Sequence, residues 1–563
     1  MIKKERKNRL INFAVSFASV FLLGLIIAKF ADINVTTDER QLKMLLSDEI
    51  PSSNFIALIS SPMAFLIRCL YKLFPRLEIY YILIYGAILL AFALIVYAIC
   101  DRLKRQSLKV RAIAFVFSFV LSLFCLLEFL LQIRYTYAAI ILAVSVFVVI
   151  LVKENISIFD TVIVAVVCAF SAGFRFVAFV MVLPFILIAV LYRLLKSKSG
   201  KKPQKRLIAL MCAVIVAAFC SNAANVYLYS QSNEKDLLTV DKLRSGLQDY
   251  QILPSYEKCA KAYDEIGISS VQVKLIRHAL WGIADITDEG TLQKLTKIRD
   301  DYYKNEGISD KVSRMKETFS EVFGQVPLIY SASAVILSVI ALIILIKQRE
   351  KLKLCLLACT LLGCMGEVLY LCYKGRMPFR VFFPTEIIAI LVSSLIIADY
   401  LLEKSKRKIL KSCFLVGFAA IFAIGIFGTV NRAERRIAVY EPYSLATESF
   451  GKESGMLYLH LGSMAYSEAN FLRDEVKTAS YVNAGGNLSE MSAWKNLVCG
   501  EYDSVSKALA NRDDLRFVTK KQGKDIGTIV EYLNQEGYEV SCEFEEVELG
   551  GECFKIWKIN NGK

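Results

Sequence analysis

Residues 54–74 read NFIALISSPMAFLIRCLYKLF, and whether they cross a membrane sets the topology of everything that follows. The run is long enough to span a hydrocarbon core of ~30 Å. Yet Asn54, Ser61 and Arg68 recur at heptad spacing, and Lys72 continues the stripe. That pattern draws one polar face along an apolar helix. The charges downstream decide. If 54–74 crossed, the next basic cluster, DRLKRQSLKVR, would move outside, and every later cluster would invert with it. The segment is therefore expected to be an amphipathic helix in the outer interface. The rival reading is an ordinary span with its polar face toward neighbours.

The rest of the chain supports a polytopic membrane protein. It has 563 residues, 55% of them hydrophobic, and a mean hydropathy of +0.47. Long apolar runs recur throughout, as a soluble protein of this size does not allow. The net charge of +15 sits largely in short clusters between apolar runs, and no nucleic-acid motif accompanies it, so no nucleic-acid partner is expected. The 15 cysteines are scattered, mostly in apolar runs, where free Cys packs as a small hydrophobe. No C-x-x-C pair occurs, and His278 and His460 are the only histidines, which argues against a zinc site. If Gly550-Gly551 closes a tight hairpin, Cys553 faces Glu548 and not Cys542, so no disulfide is expected there. MIKKERKNR and the apolar run after it read as an uncleaved first span, since the run is long and lacks a small-residue cleavage site.

Eleven spans are expected, at about 10–30, 79–99, 112–131, 136–152, 157–173, 176–193, 207–228, 327–346, 354–373, 382–400 and 411–430. With the N-terminus cytoplasmic, they place KKERKNR, DRLKRQSLKVR, YRLLKSKSGKKPQKR, KQREKLK and EKSKRK all inside. The fold class is thus α-helical and polytopic, in a cell membrane. The expected parts are an N-terminal membrane module (1–228) with an outer loop (31–78), an extracytoplasmic helical loop (229–326), C-terminal membrane helices (327–430) and an extracytoplasmic tail (431–563). The tail alternates strand-like runs (LRFVTK, YEVSCEF, CFKIWKI) with a helix-like run (DIGTIVEYLNQEG), the pattern of a small α/β domain.

Candidate chemistry lies at the outer ends of spans. INVTTDERQ (33–41) carries the adjacent carboxylates Asp38 and Glu39. Thr36-x-x-Glu39 fits a capping box, which explains Glu39 and leaves Asp38 free. Arg175 interrupts an apolar stretch with no other charge from Asp160 to Arg193. Arg376 and Arg380 are four apart and share a face in a helix. Snorkelling to lipid phosphates is the plain reading of such arginines; paired guanidiniums also suit a phosphate or pyrophosphate ligand. Arg134 is a weaker member of the set. Glu367, inside LLGCMGEVLYLCY, is an intramembrane carboxylate and should face a cavity or a partner.

The order of these features resembles GT-C glycosyltransferases, polytopic enzymes that use polyprenyl-phosphate sugars. The resemblance rests on a first span, the acidic outer loop, the interfacial run SSPMAFLIRCLYKLFP, and the second span YYILIYGAILLAFALIVYAICDRLKR with its basic exit. FRFVAFVMVLPF, KGRMPFRVFFP and VDKLRSGLQDY are also similar to segments of bacterial envelope proteins of that superfamily. The likeness covers about the first 200 residues; the loop 229–326 matches no known acceptor-binding module, and the tail is shorter than many in the superfamily.

The resemblance implies a polyprenyl-linked sugar donor and an extracytoplasmic glycan or lipid acceptor. It implies Asp38 as a catalytic base, inverting the sugar, with Glu39 beside it capping its helix or orienting the acceptor. Arg175, Arg376, Arg380 and Arg134 would hold the donor phosphate. No metal site is expected; a divalent cation on Asp38 and Glu39 is the second-ranked reading, a thin ligand set. Trp281, Trp494 and the tyrosines are candidates for stacking on sugars. A polysaccharide polymerase or ligase, with Arg244 or His278 as key residues, is the competing class. A transporter or flippase would need paired halves that the sequence lacks, and a non-enzymatic envelope protein on the same scaffold is the last alternative.

Overall fold

In the computed structural model the described residues are 2–102, 108–196, 201–286, 288–325, 327–401, 408–452, 455–462, 467–473, 480–485, 491–520 and 525–562. Parts of three basic clusters, at 103–107, 197–200 and 402–407, lie outside them.

The chain begins with α1 (Ile2–Phe30), a two-residue strand β1 (Asn34–Val35), α2 (Thr37–Leu46) and α3 (Ser61–Leu73). Next come α4 (Ile79–Arg102), α5 (Leu108–Leu130), β2 (Gln132–Ile133), α6 (Tyr135–Val152), α7 (Ile158–Lys196) and α8 (Lys201–Ser230). The large loop holds α9 (Leu237–Ser245), a π turn (Gly246–Tyr250), α10 (Tyr256–Glu265), α11 (Ser270–Arg277), α12 (Glu289–Lys304) and α13 (Ile308–Gln325). Then follow α14 (Leu328–Gln348), α15 (Lys351–Tyr373), α16 (Phe379–Asp399) and α17 (Lys408–Lys452). The tail adds β3 (Leu457–His460), β4 (Ser467–Glu468), β5 (Tyr481–Asn483), α18 (Ser492–Cys499), α19 (Val505–Asn511), β6 (Leu515–Lys520), α20 (Asp525–Gln535), β7 (Val540–Leu549) and β8 (Glu552–Asn561).

Among the described residues ten helices are long and apolar enough to cross a membrane: α1, α4 to α8 and α14 to α17. They carry all eleven expected spans, because α7 carries two. Its backbone is extended at Arg175 (φ −162°, ψ 104°), and the helix folds back there. The proof is at its ends. Lys153 donates to Asp160 near the start of α7 at 2.5 Å, while Arg193 near its end donates to the main-chain oxygens of Ile150 and Lys153. A straight helix would hold Asp160 and Arg193 ~50 Å apart. The turn packs closely: Gly173 accepts from the Ser60 N–H at 3.0 Å, and a Cβ there would meet the Met63 side chain at 2.9 Å.

The helix within 54–74 is shorter than expected. Pro62 sits in its first turn, where a missing N–H costs nothing. At 13 residues, α3 reaches only ~20 Å, too short to span. Of its polar stripe Arg68 turns inward, pairing with Asp48 at 2.9 Å and donating to the Leu45 carbonyl at 2.7 Å, while Lys72 is exposed. Phe65, Leu66 and Leu73 are exposed too, as for a helix lying along an apolar surface.

The loops expected outside gather at one end of the bundle. β1 pairs in parallel with β2 and antiparallel with β4 of the tail. Leu77 bridges Leu472, and Ser492 of α18 donates to Glu234 before α9. The tail is a five-stranded sheet in the order β5-β3-β6-β8-β7, with three helices. Gly550 and Gly551 both have positive φ, as a two-residue hairpin turn of type I′ requires, and Glu548 faces Cys553 across it. The helix α17 continues well past residue 430, where hydropathy ends the last span. Its Tyr443, Ala446 and Phe450 pack on Tyr458, Tyr481 and Phe554 of the sheet. One helix is thus both the last span and a wall of the tail.

Candidate active site

The parallel register pairs Asn34 with Gln132 and Val35 with Ile133. The next residues of both strands are therefore neighbours, which sets the acidic loop beside Arg134. The expected capping box does not form. Thr36 is the N-cap of α2 but makes no side-chain cap bond, and Glu39 turns away into the protein. It accepts from the Tyr80 hydroxyl and, with both oxygens at 3.2 Å, from the Tyr135 N–H. Glu39 is 2% exposed, and burial pushes its carboxyl up to about 8 despite those bonds. Tertiary partners outcompete the local cap because they satisfy a buried carboxyl that a first-turn N–H would leave half-paired.

Folded Glu39 keeps its proton up to about pH 8, whereas the unfolded chain releases it near 4.5. Its contribution is fully present in acid and is lost as pH rises through that window, by roughly 1.4 kcal/mol per pH unit. Glu39→Gln mimics the protonated form at every pH. Thermal melts in detergent from pH 5 to 9 are expected to show native protein falling behind Glu39→Gln toward pH 8 and matching it in acid. Parallel curves would contradict the assignment.

Asp38 has none of these partners. It is half-buried and makes no hydrogen bond or ion pair among the described residues. Its charge acts on Arg134 and Arg380. The Arg134 guanidinium lies over the Tyr137 ring at 5.4 Å, and its buried Nε has no partner among the described residues.

Beside them a cavity of about 310 Å³ opens between α6, α7, α15 and α16. Its polar lining includes Arg175, Arg376, Arg380, Glu367, Asp249 and Tyr250, and Ile140, Val177 and Met181 are among its apolar walls. Four of the seven residues singled out in the sequence therefore line one space. Arg175 is held by the Tyr135 hydroxyl and by Thr136 Oγ1 at 3.3 Å. Arg376 is paired with Asp249 from the π turn. Arg380 has no hydrogen bond or ion pair among the described residues, and Arg175 and Arg134 both repel it. Among the described residues the cavity thus holds two cations without an ion-pair partner, Arg175 on neutral hydroxyls and Arg380 on nothing.

Sequence reasoning passed over Asp249 and the hold of Tyr135 on Arg175, and it named Tyr250 and Tyr370 only among the tyrosines at large. Their only signal was the run VDKLRSGLQDY and the aromatics flanking the arginines. It also passed over two intramembrane carboxylates that carry the same signal as Glu367. Both are taken up by packing: Glu128 pairs with Arg436 at 2.7 Å, and Glu386 accepts from Ser331. The tryptophans are corrected outright. Trp281 and Trp494 are fully buried, their N–H groups bound to Gln248 at 3.1 Å and to the Asn483 carbonyl at 2.8 Å. Neither can stack on a sugar. Tyr250 and Tyr370 line the cavity and are 42% and 59% exposed.

Arg244 is 2% exposed and held by Asp241 at 2.6 Å and Gln248 at 2.8 Å, a clamp within the loop. His278 ends α11 and is exposed; neither residue lines the cavity. Both oxygens of Glu39 are already engaged, so Asp38 and Glu39 do not offer a joint chelating set. Among the described residues no group of three or more His, Cys, Asp or Glu side chains could hold a metal.

No protein-family model matches the chain, and no curated protein matches it. Among solved structures, that of ArnT from Cupriavidus metallidurans bound to undecaprenyl phosphate is similar at a TM-score of 0.35 and 10% identity, over 96% of this chain and 97% of that chain. At that identity and score it stands as a likeness alone.

Proposed function

We propose that the protein is a membrane glycosyltransferase that moves a sugar from a polyprenyl-phosphate carrier to an extracytoplasmic glycan or lipid acceptor. The observation that carries this is a carboxylate, Asp38, whose charge reaches Arg380 at a largely apolar cavity that holds Arg380 and Arg175, neither with an ion-pair partner among the described residues. The loop end faces outward in this reading, since the basic clusters favour the cytoplasm for the other end.

The isoprenoid lies along the apolar walls, and the phosphate meets Arg175 and Arg380. Asp38 takes the proton from an acceptor hydroxyl. That oxygen bonds to the anomeric carbon as the bond to the phosphate oxygen breaks, so the sugar inverts and the leaving phosphate gains one negative charge. Arg380 and Arg175 stabilise that charge in a site of low polarity. Glu39 does not meet the acceptor; uncharged and buried, it fixes the first turn of α2 so that Asp38 stays in place. Tyr250 and Tyr370 are the stacking surfaces for the sugar. The polymerase or ligase reading is not favoured, because Arg244 is consumed inside its own loop.

The arginines should not be equivalent. Arg376 is already neutralised by Asp249, so Arg376→Gln is expected to lower donor turnover less than tenfold. Arg380→Gln should lower it about 10²–10³-fold, as for loss of one charge-stabilising donor. The assay is consumption of a polyprenyl-phosphate sugar by membranes holding equal amounts of each variant. An equal or larger loss in Arg376→Gln would reverse the assignment. If no variant, nor the native protein, consumes any lipid-linked sugar supplied with membrane extract as acceptor, the transferase reading fails.

A further inference from the structure

The end of the bundle opposite the loops carries a second cleft, between the ends of α4, α6, α7, α15 and α16. Among the described residues its charges do not balance. Arg102, Arg193, Lys196 and Lys353 face Glu154 and Asp399, four cations against two carboxylates. Asp399 serves two of them, Arg102 at 2.8 Å and Lys353 at 3.0 Å. Arg193 is spent on main-chain oxygens of residues 150, 153 and 154, which fix its position and leave its charge. Lys196 makes no hydrogen bond or ion pair among the described residues; its ammonium stands 5.9 Å from the Tyr192 ring. The remaining wall is apolar, formed by residues such as Leu356, Val392 and Leu395.

We propose that this cleft binds the phosphate of an anionic phospholipid headgroup, which fastens the five helix ends together. A phosphate diester supplies the missing negative charge and suits a guanidinium held in place by its backbone bonds. The cleft is partly open, and the space inside it is about 30 Å³, room for a couple of phosphate oxygens with the rest of the headgroup outside it. The apolar wall continues along membrane-crossing helices, where an acyl chain lies. Basic pockets between helices on the cytoplasmic side are where anionic headgroups bind.

The test uses the full chain in nanodiscs of phosphatidylcholine with a minor share of phosphatidylglycerol. Co-purified phosphatidylglycerol per protein is counted by mass spectrometry for native protein, Lys196→Gln and Lys196→Gln/Lys353→Gln. Lys555→Gln, in the tail sheet, is the charge-matched control. Retention is expected to weaken about fivefold for each cation removed and to stay native in the control. Equal retention in native and double variant overturns the proposal. So does displacement of the lipid by millimolar glycerol phosphate, which would make this a site for a free anion. Sugar transfer is not read at any step, so failure here leaves the proposed function standing, and the converse.

Discussion

Asp38→Asn is expected to lower donor turnover about 10²–10⁴-fold, the contribution of a positioned general base, with folded protein at native levels. Both halves of that expectation follow from the surroundings of Asp38. Its carboxylate is half-buried and has no hydrogen-bond partner among the described residues, so an isosteric amide strands no donor and leaves no cavity. What changes is the ability to accept a proton beside Arg380. Glu39→Gln tests the other half of the acidic pair. Its side chain is already uncharged near neutrality and is enclosed by Tyr80 and Tyr135, so it should keep most activity. Donor consumption by membranes at matched protein amounts separates the two. Loss of activity in Glu39→Gln with survival of Asp38→Asn would move the base to Glu39.

The second large effect is on folding. Lys153 is fully buried and sits between Asp160 at 2.5 Å and Asp101 at 3.4 Å, with the Tyr97 hydroxyl at 2.8 Å. Its main-chain oxygen receives Arg193, so one residue ties the end of α6 to both ends of the α7 hairpin. Lys153→Met takes the cation from between two buried carboxylates. Breaking such a pair costs about 3–5 kcal/mol. The variant should show a much lower melting temperature in detergent and a sharp loss of folded protein. Adding Asp160→Asn removes one of the stranded charges and should restore part of the loss. A double variant no better than the single would mean that the cost comes from packing and not from charge.

Much of this architecture could be read from the chain, and the reason is physical. Apolar runs of span length have few alternatives, so spans such as 79–99 and 382–400 reappear in α4 and α16. Residues 54–74 were expected not to cross the membrane, and α3, at 13 residues, is too short to do so. The hairpin register at Gly550-Gly551 followed from turn chemistry alone. Arg175, Arg376, Arg380 and Glu367 were visible because charge is costly in an apolar setting. The same reasoning cannot tell a cavity from a packed partner, so Glu128 and Glu386 carried an identical signal with a structural outcome. Thr36 and Glu39 show the opposite failure: a local motif predicted a cap, and residues 41 and 96 positions away took the carboxyl. Asp249 was hidden because nothing within its own loop indicates that it reaches Arg376.

The three-stranded sheet at the loop end also has a consequence in time. β1 begins at residue 34, yet its second edge is filled by β4 at residues 467 and 468, and Arg40 reaches the carbonyl of Tyr481. At ribosomal rates of ~5–20 residues per second, those partners emerge ~20–90 s after the strand they complete. Throughout that interval β1 keeps one edge open while the helices around it are still being made. The residues of the charged cavity, up to Val381, are therefore all made before the acidic loop gains its last partners, and the loop takes its final form only when synthesis is nearly over.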